Sequence, residues 1–218
     1  MAKRFIKELN QVKKRILSLG SLVEERVRMA VTAVENKDAQ GAEEIIQNDY
    51  EIDEMEVEIE EECLKVLALH QPVAVDLRFL VTVIKINGEL ERIGDQAVNI
   101  AQRVGVLAKQ STPAFEFDYS HMAEKAEAML RMSLDALVNL DNDLAFKVLM
   151  LDDEVDKIQQ DAYDQIKSAM KNQPDQMGYL INLLLVSRHL ERLADHATNI
   201  AESVIYLIEG DIVRHSQY

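Results

Sequence analysis

The sequence predicts an all-α protein whose six long helices form two tandem antiparallel three-helix bundles. Apolar residues recur in steps of three and four over long stretches, a period typical of one face of an α-helix. The 218 residues contain only seven glycines, three prolines and no tryptophan, which favours a few long elements with short connections. A twelve-residue motif in the first half also recurs 100 residues further along the chain.

Three helices are predicted in the first half from their apolar stripes. The first stripe starts at Phe5 and is interrupted by the polar residues 36–38. The second helix closes at Pro72, because proline disfavours the helical conformation of the residue before it. The predicted bounds of the three helices are about 5–34, 42–70 and 74–107.

The helical pattern starts again after residues 109–113, whose Lys-Gln-Ser-Thr-Pro sequence indicates a linker. Breaks at residues 141–143 and around Pro174 divide the second half. Short connections force consecutive helices to lie side by side and antiparallel, so each half should form one bundle. The expected helices are about 119–140, 143–171 and 176–209, and the expected domains are 1–110 and 115–218.

Internal duplication is visible in the residues themselves. The sequence Leu-Glu-Arg-Ile-Gly-Asp-Gln-Ala-Val-Asn-Ile-Ala at 90–101 recurs at 190–201 with eight of twelve positions identical. A second, weaker repeat pairs residues 49–53 with residues 152–156. Each half therefore places one acidic motif on its second helix and another on its third helix, as expected for a repeated structural unit.

These motifs supply four pairs of carboxylates, and the two members of each pair share a helix face because they lie four residues apart. Like charges at this spacing destabilise a helix slightly. On a helical wheel, the pairs of the second helices fall inside apolar stripes, where a carboxylate is costly unless it is paired or binds a cation. The motifs therefore form either solvated acidic faces or cation sites. The pairs are Asp49 with Asp53, Glu91 with Asp95, Asp152 with Asp156, and Glu191 with Asp195.

If these carboxylates bind a metal, oxygen ligands favour hard cations such as Mg, Mn or Ca, and they can also accept Fe. Zinc fits less well because Cys63 is the only cysteine and the five histidines are scattered. The di-iron carboxylate bundles use a Glu-x-x-His motif, and this motif does not occur in the chain. Redox catalysis of that type is therefore disfavoured.

Composition argues against several other functions. The 39 acidic and 24 basic residues give a net charge of -15, which repels nucleic acids and anionic lipids. No Walker-type glycine loop or nucleophile elbow is present. The N-terminus has no signal-like apolar run, and the apolar stretch at 180–186 is too short to cross a bilayer. We expect an intracellular protein that does not bind nucleic acid, insert into membranes or catalyse a reaction.

The doubled Leu-Glu-Arg-[Ile/Leu]-[Gly/Ala]-Asp-x-x-x-Asn-Ile-Ala motif resembles that of the PhoU family of phosphate-transport regulators. The Gln-Pro-Val-Ala-Val-Asp-Leu-Arg sequence at 71–78, the chain length and the helix count resemble it as well. The resemblance implies two bundles related by pseudo-twofold symmetry, and metal ions bound at the acidic motifs. The residues implied as metal ligands are Asp49, Asp53, Glu91, Asp95, Asn99, Asp152, Asp156, Glu191, Asp195 and Asn199.

The same resemblance implies a cytoplasmic, non-enzymatic negative regulator of phosphate uptake and of phosphate-starvation signalling. It would act as an adaptor between the cytoplasmic side of a phosphate ABC transporter and a sensor histidine kinase. A homodimer is included among the expected assemblies. The alternative that we retain is a metal-dependent hydrolase or redox enzyme that uses the same carboxylates.

The two halves depart from one another at one end. Met177-Gly178 occupies the place that Leu77-Arg78 has in the first half, so the Asp-Leu-Arg element occurs only once. We therefore do not expect the two bundles to bind partners equivalently at that end.

Overall fold

Seven α-helices make up most of the chain in the computed structural model, which describes residues 2–110, 115 and 117–211. No β-strand occurs among these residues, so the predicted all-α class is confirmed. A 3₁₀ turn at Pro174–Gln176 precedes the last helix. The helices are α1 (Ala2–Asn36), α2 (Ala39–Gln47), α3 (Tyr50–His70), α4 (Ala74–Leu107), α5 (Ser120–Asn139), α6 (Asn142–Asn172) and α7 (Met177–Glu209).

The helices pack as the two predicted bundles. Helices α1 to α4 contact one another in the first bundle, and α5 to α7 contact one another in the second. The bundles meet along α4 and α7, which pack together more extensively than any other pair, and α1 also contacts α5. We call the α4–α7 contact the seam. Both of its helices are contacted from several sides, which explains why they carry buried residues along most of their length.

The pseudo-twofold symmetry is visible in two hydrogen bonds across the seam. Nδ1 of His196 lies 2.8 Å from a carboxylate oxygen of Glu89. In the reverse direction, Nδ1 of His189 lies 2.9 Å from the amide oxygen of Gln96. Glu89 and His189 occupy equivalent positions of the repeat, as do Gln96 and His196. The two helices therefore run antiparallel, with the start of each doubled motif close to the end of the other.

The second predicted helix is interrupted at Asn48 and Asp49, and this divides it into α2 and α3. Asn48 departs from helical geometry, with φ -102° and ψ 12°. The backbone N–H groups of Ile52 and Asp53 both point to the carbonyl oxygen of Asp49, at 2.9 and 3.5 Å, so the chain tightens there. Helix α6 continues without a break through the equivalent Asp152. The repeat therefore differs locally at one of its acidic motifs.

A small residue at the centre of α4 lets α3 approach closely. A Cβ at Gly94 would lie only 2.9 Å from Cδ1 of Ile52, which is fully buried between the helices. This contact places the start of α3 beside the Leu-Glu-Arg motif of α4, and it brings the two acidic motifs of the first bundle together.

Among the described residues, none of the helices combines the length and the apolar character that are needed to cross a membrane.

Two aspartates cap helices at equivalent places in the two bundles. The carboxylate of Asp38 accepts hydrogen bonds from the backbone N–H groups of Gln40 and Gly41, at 3.0 and 3.1 Å. The carboxylate of Asp141 accepts one from Leu144 at 3.0 Å. The caps satisfy N–H groups that have no partner within the helix. In each bundle, the cap fixes the start of the segment that carries the first acidic motif.

We expect Asp38→Ala and Asp141→Ala each to lower the free energy of unfolding by about 1 kcal/mol, because each change removes an N-terminal cap. Urea denaturation followed by circular dichroism measures the loss. Asp161→Ala is the matched control, because Asp161 is an exposed aspartate within α6. Equal stability of all four proteins would show that the caps contribute nothing.

Candidate metal centre

The four acidic motifs come together in pairs, one pair in each bundle. In the first bundle, the motif at the α2–α3 junction faces the motif of α4. In the second bundle, the motif of α6 faces that of α7. We call Asp49, Asp53, Glu91 and Asp95 the first acidic cluster. We call Asp152, Asp156, Glu191 and Asp195 the second acidic cluster.

Three carboxylates of the second acidic cluster are close enough to share one cation. Asp156, Glu191 and Asp195 each offer an oxygen atom, and these three atoms lie within 4.8 Å of one another. Two oxygen atoms that bind one ion at about 2.0–2.6 Å, the range for Mg²⁺ and Ca²⁺, lie no further apart than about 4–5 Å. The donor chemistry and the spacing therefore both fit a hard cation held between α6 and α7.

The electrostatics of the second acidic cluster oppose full ionisation. Burial raises the pKa of Asp195 to about 6, and Glu191, Asp152 and Asp156 add repulsion while His196 partly opposes it. Burial and then Asp156 raise the pKa of Glu191. Burial and Asp156 also raise the pKa of Asp152, although a hydrogen bond from Thr198 at 3.2 Å acts in the other direction. A bound cation would relieve this repulsion.

In the first acidic cluster, burial and repulsion between carboxylates raise pKa values in the same way. Burial raises the pKa of Asp49, and repulsion from Asp53 and Asp95 adds to it while Arg26 lowers it. Burial followed by repulsion from Asp53 raises the pKa of Asp95. Burial followed by Asp95 and Asp53 raises the pKa of Glu91. The carboxylates of the first acidic cluster therefore act on one another across two helices.

The burial of these carboxylates differs from the prediction in one respect. Asp49 and Asp152 are half-buried, as expected for carboxylates in an apolar stripe, but Asp53 and Asp156 are exposed. The expectation was wrong for the second member of each pair. Four residues advance a helix by about 400°, which rotates the second side chain about 40° away from the first and toward solvent.

The predicted asparagines are half-buried beside the seam. The side-chain N–H of Asn199 donates to a carboxylate oxygen of Glu89 at 3.1 Å, across the seam. This bond joins the amide of Asn199 to the first bundle. That Asn99 and Asn199 bind a metal stays a prediction.

Glu89 is a buried carboxylate of the seam. Its burial opposes ionisation, but hydrogen bonds from His196 and Asn199 outweigh it and hold the pKa of Glu89 below its usual value. A third contact, from Arg92 at 3.4 Å, also favours the charged form. His196 lowers the pKa of Asp95 and of Asp195, so this histidine lies within electrostatic reach of both clusters.

Sequence reasoning missed Glu89, Gln96 and His189 as residues of the seam. Comparison of the two repeats could have indicated them. Position 89 is Glu and the equivalent position 189 is His, while position 96 is Gln and the equivalent position 196 is His. Glu89 therefore pairs with His196, and Gln96 pairs with His189, so each position bonds the counterpart of the other one. Burial and the neighbouring Arg103 lower the pKa of His189 to about 4, which keeps it neutral near pH 7.

Glu56 is another acid that the motifs did not identify. It is half-buried, and burial, Glu60 and Asp53 raise its pKa. Its charge contributes to the raised pKa of Glu91, so it extends the first acidic cluster. Its position three residues after Asp53, on the same face of α3, could have indicated this.

Known proteins of one family match the chain over nearly its whole length. The family described as the PhoU domain matches twice, at residues 16–104 and 119–204. The chain is 37% identical to a phosphate-specific transport system accessory protein PhoU homolog of Pseudomonas putida, over 99% of this chain and 84% of the relative. It is 30% identical to the accessory protein PhoU of Escherichia coli, over 97% of this chain and 88% of the relative.

Two solved structures are similar to the whole fold. The crystal structure of PhoU from Pseudomonas aeruginosa matches with a TM-score of 0.92 and 36% identity, covering 95% of this chain and all (100%) of that one. The phosphate transport system regulatory protein PhoU from Streptococcus pneumoniae matches with a TM-score of 0.86 and 32% identity, covering 96% and 99%.

We predict that Asp195→Asn stabilises the metal-free protein at pH 7 but has little effect below pH 4. The folded pKa of about 6 lies above the usual value of 3.8, so the ionised form is penalised in the folded state. This penalty is absent at low pH, grows as the pH rises from about 4 to 6, and is complete above that range. Asparagine cannot ionise and therefore avoids it.

Chemical denaturation in EDTA between pH 4 and pH 8 measures this difference. Asp161→Asn is the control, because Asp161 is exposed on α6 outside the acidic clusters. A stability difference between Asp195→Asn and wild type that does not change with pH would contradict the raised pKa of Asp195 in the folded protein.

Proposed function

The chain belongs to the PhoU family, and we propose on that basis that it is a cytoplasmic, non-enzymatic regulator of phosphate transport whose acidic clusters bind hard metal ions. The relatives named as phosphate-specific transport accessory proteins support the regulatory role. We further propose that the protein restrains phosphate uptake and starvation signalling, as an adaptor between a phosphate ABC transporter and a sensor histidine kinase. The homodimer stays a prediction.

The convergence of three carboxylates on one small volume supports the metal-binding part of the proposal. Asp156, Glu191 and Asp195 would hold the ion between α6 and α7, and Asp152 lies beside them. In the first bundle, the cluster formed by Asp49 and its neighbours would hold a second ion. Mg, Mn, Ca and Fe all suit such oxygen ligands. A bound ion would supply positive charge that links two helices, and the carboxylates would fix its position.

A chelating role fits the molecule better than catalysis does. A metalloenzyme needs an open coordination position beside a cavity that takes the substrate. A cavity of about 600 Å³ lies between the ends of α1, α4, α5 and α7, and no residue of either acidic cluster lines it. This separation favours an adaptor over the hydrolase or redox alternative.

The proposed domains, 1–110 and 115–218, each contain one match to the family, at 16–104 and 119–204. We propose that each is one repeat of the duplicated unit.

We expect Mn²⁺ to raise the melting temperature of the metal-free protein, because an ion that binds only the folded state stabilises it. An ion concentration 100 times the Kd adds about 2.7 kcal/mol, or roughly 5–10 °C for a chain of this size. Asp156→Ala combined with Asp195→Ala should remove the response of the second cluster. Asp53→Ala combined with Asp95→Ala should remove that of the first.

Differential scanning fluorimetry and elemental analysis of the purified protein provide the test. Asp161→Ala combined with Asp164→Ala is the control, because it removes the same charge from exposed positions of α6. If the wild type shows no shift and carries no metal, the clusters are solvated acidic faces.

We expect deletion of the gene to derepress phosphate-starvation genes when phosphate is plentiful, because the restraining adaptor is then missing. A reporter of these genes in wild type, in the deletion strain and in a complemented strain measures this. The Asp156→Ala, Asp195→Ala variant, once shown to be folded, tells whether metal binding is needed. Unchanged expression in the deletion strain, without detectable binding to transporter or kinase, would eliminate the adaptor role.

A further inference from the structure

Arg26 is a buried arginine of α1 that lies beside the first acidic cluster. Only 7% of the residue is exposed, and its Nη2 forms an ion pair with a carboxylate oxygen of Glu51. Its Nη1 lies 3.8 Å from the sulfur of Met29. Among the described residues, its buried Nε has no hydrogen-bond partner. The ion pair with Glu51 therefore leaves part of the guanidinium without an anionic partner.

The ion pair ties Arg26 to the segment that carries the first acidic motif, because Glu51 stands between Asp49 and Asp53 in the chain. The positive charge of Arg26 reaches Asp49 and lowers its pKa, against the effect of burial. Glu51 neutralises this charge only in part, because 42% of its side chain is exposed to water, compared with 9% of the Arg26 side chain. A fixed, buried positive charge thus lies next to a carboxylate of the first acidic cluster.

The second bundle has an apolar residue in the place of Arg26. The two matches to the family begin at residues 16 and 119, and this offset pairs Arg26 with Met129, which is fully buried. Glu154, the counterpart of Glu51, is paired instead with Lys125 at 2.6 Å, one helical turn before Met129. The shifted pKa values in the second acidic cluster have causes other than Lys125. The second cluster therefore has no counterpart of the charge that reaches Asp49.

The exposed arginines near the clusters do not create the same difference. Arg92 and Arg192 occupy equivalent positions, so each cluster has one of them. Arg188 has no counterpart in the first bundle, where position 88 is glycine, but it is exposed, so water and salt screen its charge. Arg26 is distinguished from these three arginines by its burial.

The arrangement of the carboxylates differs between the clusters in the same direction. In the second cluster, three carboxylate oxygens lie within 4.8 Å of one another. Among the described residues, the first cluster forms no such group. The chain is interrupted beside Asp49, whereas α6 is continuous through Asp152. The second cluster is therefore the better preformed site for a cation.

We infer that Arg26 is an internal counterion of the first acidic cluster, and that it makes this cluster bind divalent cations more weakly than the second cluster. A cation beside Asp49 would be repelled by the guanidinium, and no buried arginine opposes a cation between α6 and α7 among the described residues. The second cluster would therefore fill at a lower cation concentration than the first. This inference rests on the proposed metal binding and adds a residue that sets the affinity of one site.

The test is Mn²⁺ binding to full-length protein that has first been stripped of metal with EDTA. Electron paramagnetic resonance measures the free Mn²⁺ in each titration and so gives the Kd directly. Asp156→Ala combined with Asp195→Ala leaves the first cluster intact, and Asp53→Ala combined with Asp95→Ala leaves the second intact. We expect the Kd of the second cluster to be at least about tenfold lower than that of the first.

Substitutions of Arg26 are made in the variant that retains only the first cluster. Arg26→Met installs the residue of the second repeat and should lower the Kd for Mn²⁺ at least about tenfold, because a positive charge is removed. Arg26→Gln also removes the charge but can still donate a hydrogen bond to Glu51, so it tests the same effect if Arg26→Met does not fold. Arg26→Lys keeps the charge and should leave the Kd within about threefold of its parent.

Lys125→Met is the matched control, made in the variant that retains only the second cluster. It removes the cation that pairs with Glu154 and should leave the Kd of the second cluster within about threefold of its parent, because Lys125 does not act on that cluster. Melting temperatures in EDTA show which variants are folded.

An unchanged Kd in the neutral variants of Arg26 would overturn the inference, and so would equal tightening in Arg26→Lys, because charge would then play no part. Equal Kd values of the two clusters would overturn it as well. If the first cluster binds no Mn²⁺ with Arg26 present, the neutral variants must create binding for the inference to stand. These outcomes concern Arg26 alone, whereas absence of Mn²⁺ binding at both clusters of the wild type defeats the proposed metal binding itself.

Discussion

The antiparallel contact between α4 and α7 determines where the two acidic clusters of this protein lie. Glu89 opposes His196 and Gln96 opposes His189, so the two copies of the Leu-Glu-Arg motif cross at the same level of the molecule. Each motif then meets the acidic motif of its own bundle on the side facing away from the seam. As a result, two clusters of carboxylates flank one helix pair, and His196 influences both of them.

Such clusters are unfavourable in the absence of a counterion. Partial loss of solvation raises the pKa values of several members, and their mutual repulsion adds to the effect. The open side of each cluster, where Asp53 and Asp156 are exposed, gives an ion a path from solvent. A cation bound there would change the interaction between the two helices from repulsion to attraction, and would strengthen the bundle next to the seam. Metal binding would in this way affect the surface that both bundles share.

The periodicity of the sequence predicted the helices and their bundles, because long amphipathic stripes with few turn formers allow little else. The repeat predicted acidic motifs at equivalent positions of the two halves, because a duplicated unit places equivalent residues on equivalent helices. Their grouping across two helices depends on how the helices pack. The break at Asn48 and Asp49 was not predictable, because the apolar stripe continues across it. The pairing of Glu89 with His196 and the cavity between the helix ends arise between segments far apart in the chain. Periodicity within one helix carries no information about such contacts.

The most direct test of metal binding by these clusters is anomalous X-ray diffraction from crystals grown with Mn²⁺, recorded at the manganese absorption edge. We predict a peak within about 2.0–2.6 Å of carboxylate oxygens from Asp156, Glu191 and Asp195, the range for hard divalent cations. A second peak should lie at the first acidic cluster, beside Asp49 and Asp95. Well-ordered carboxylates with no anomalous peak at either cluster, at saturating Mn²⁺, would contradict the claim that the fold assembles them to bind metal.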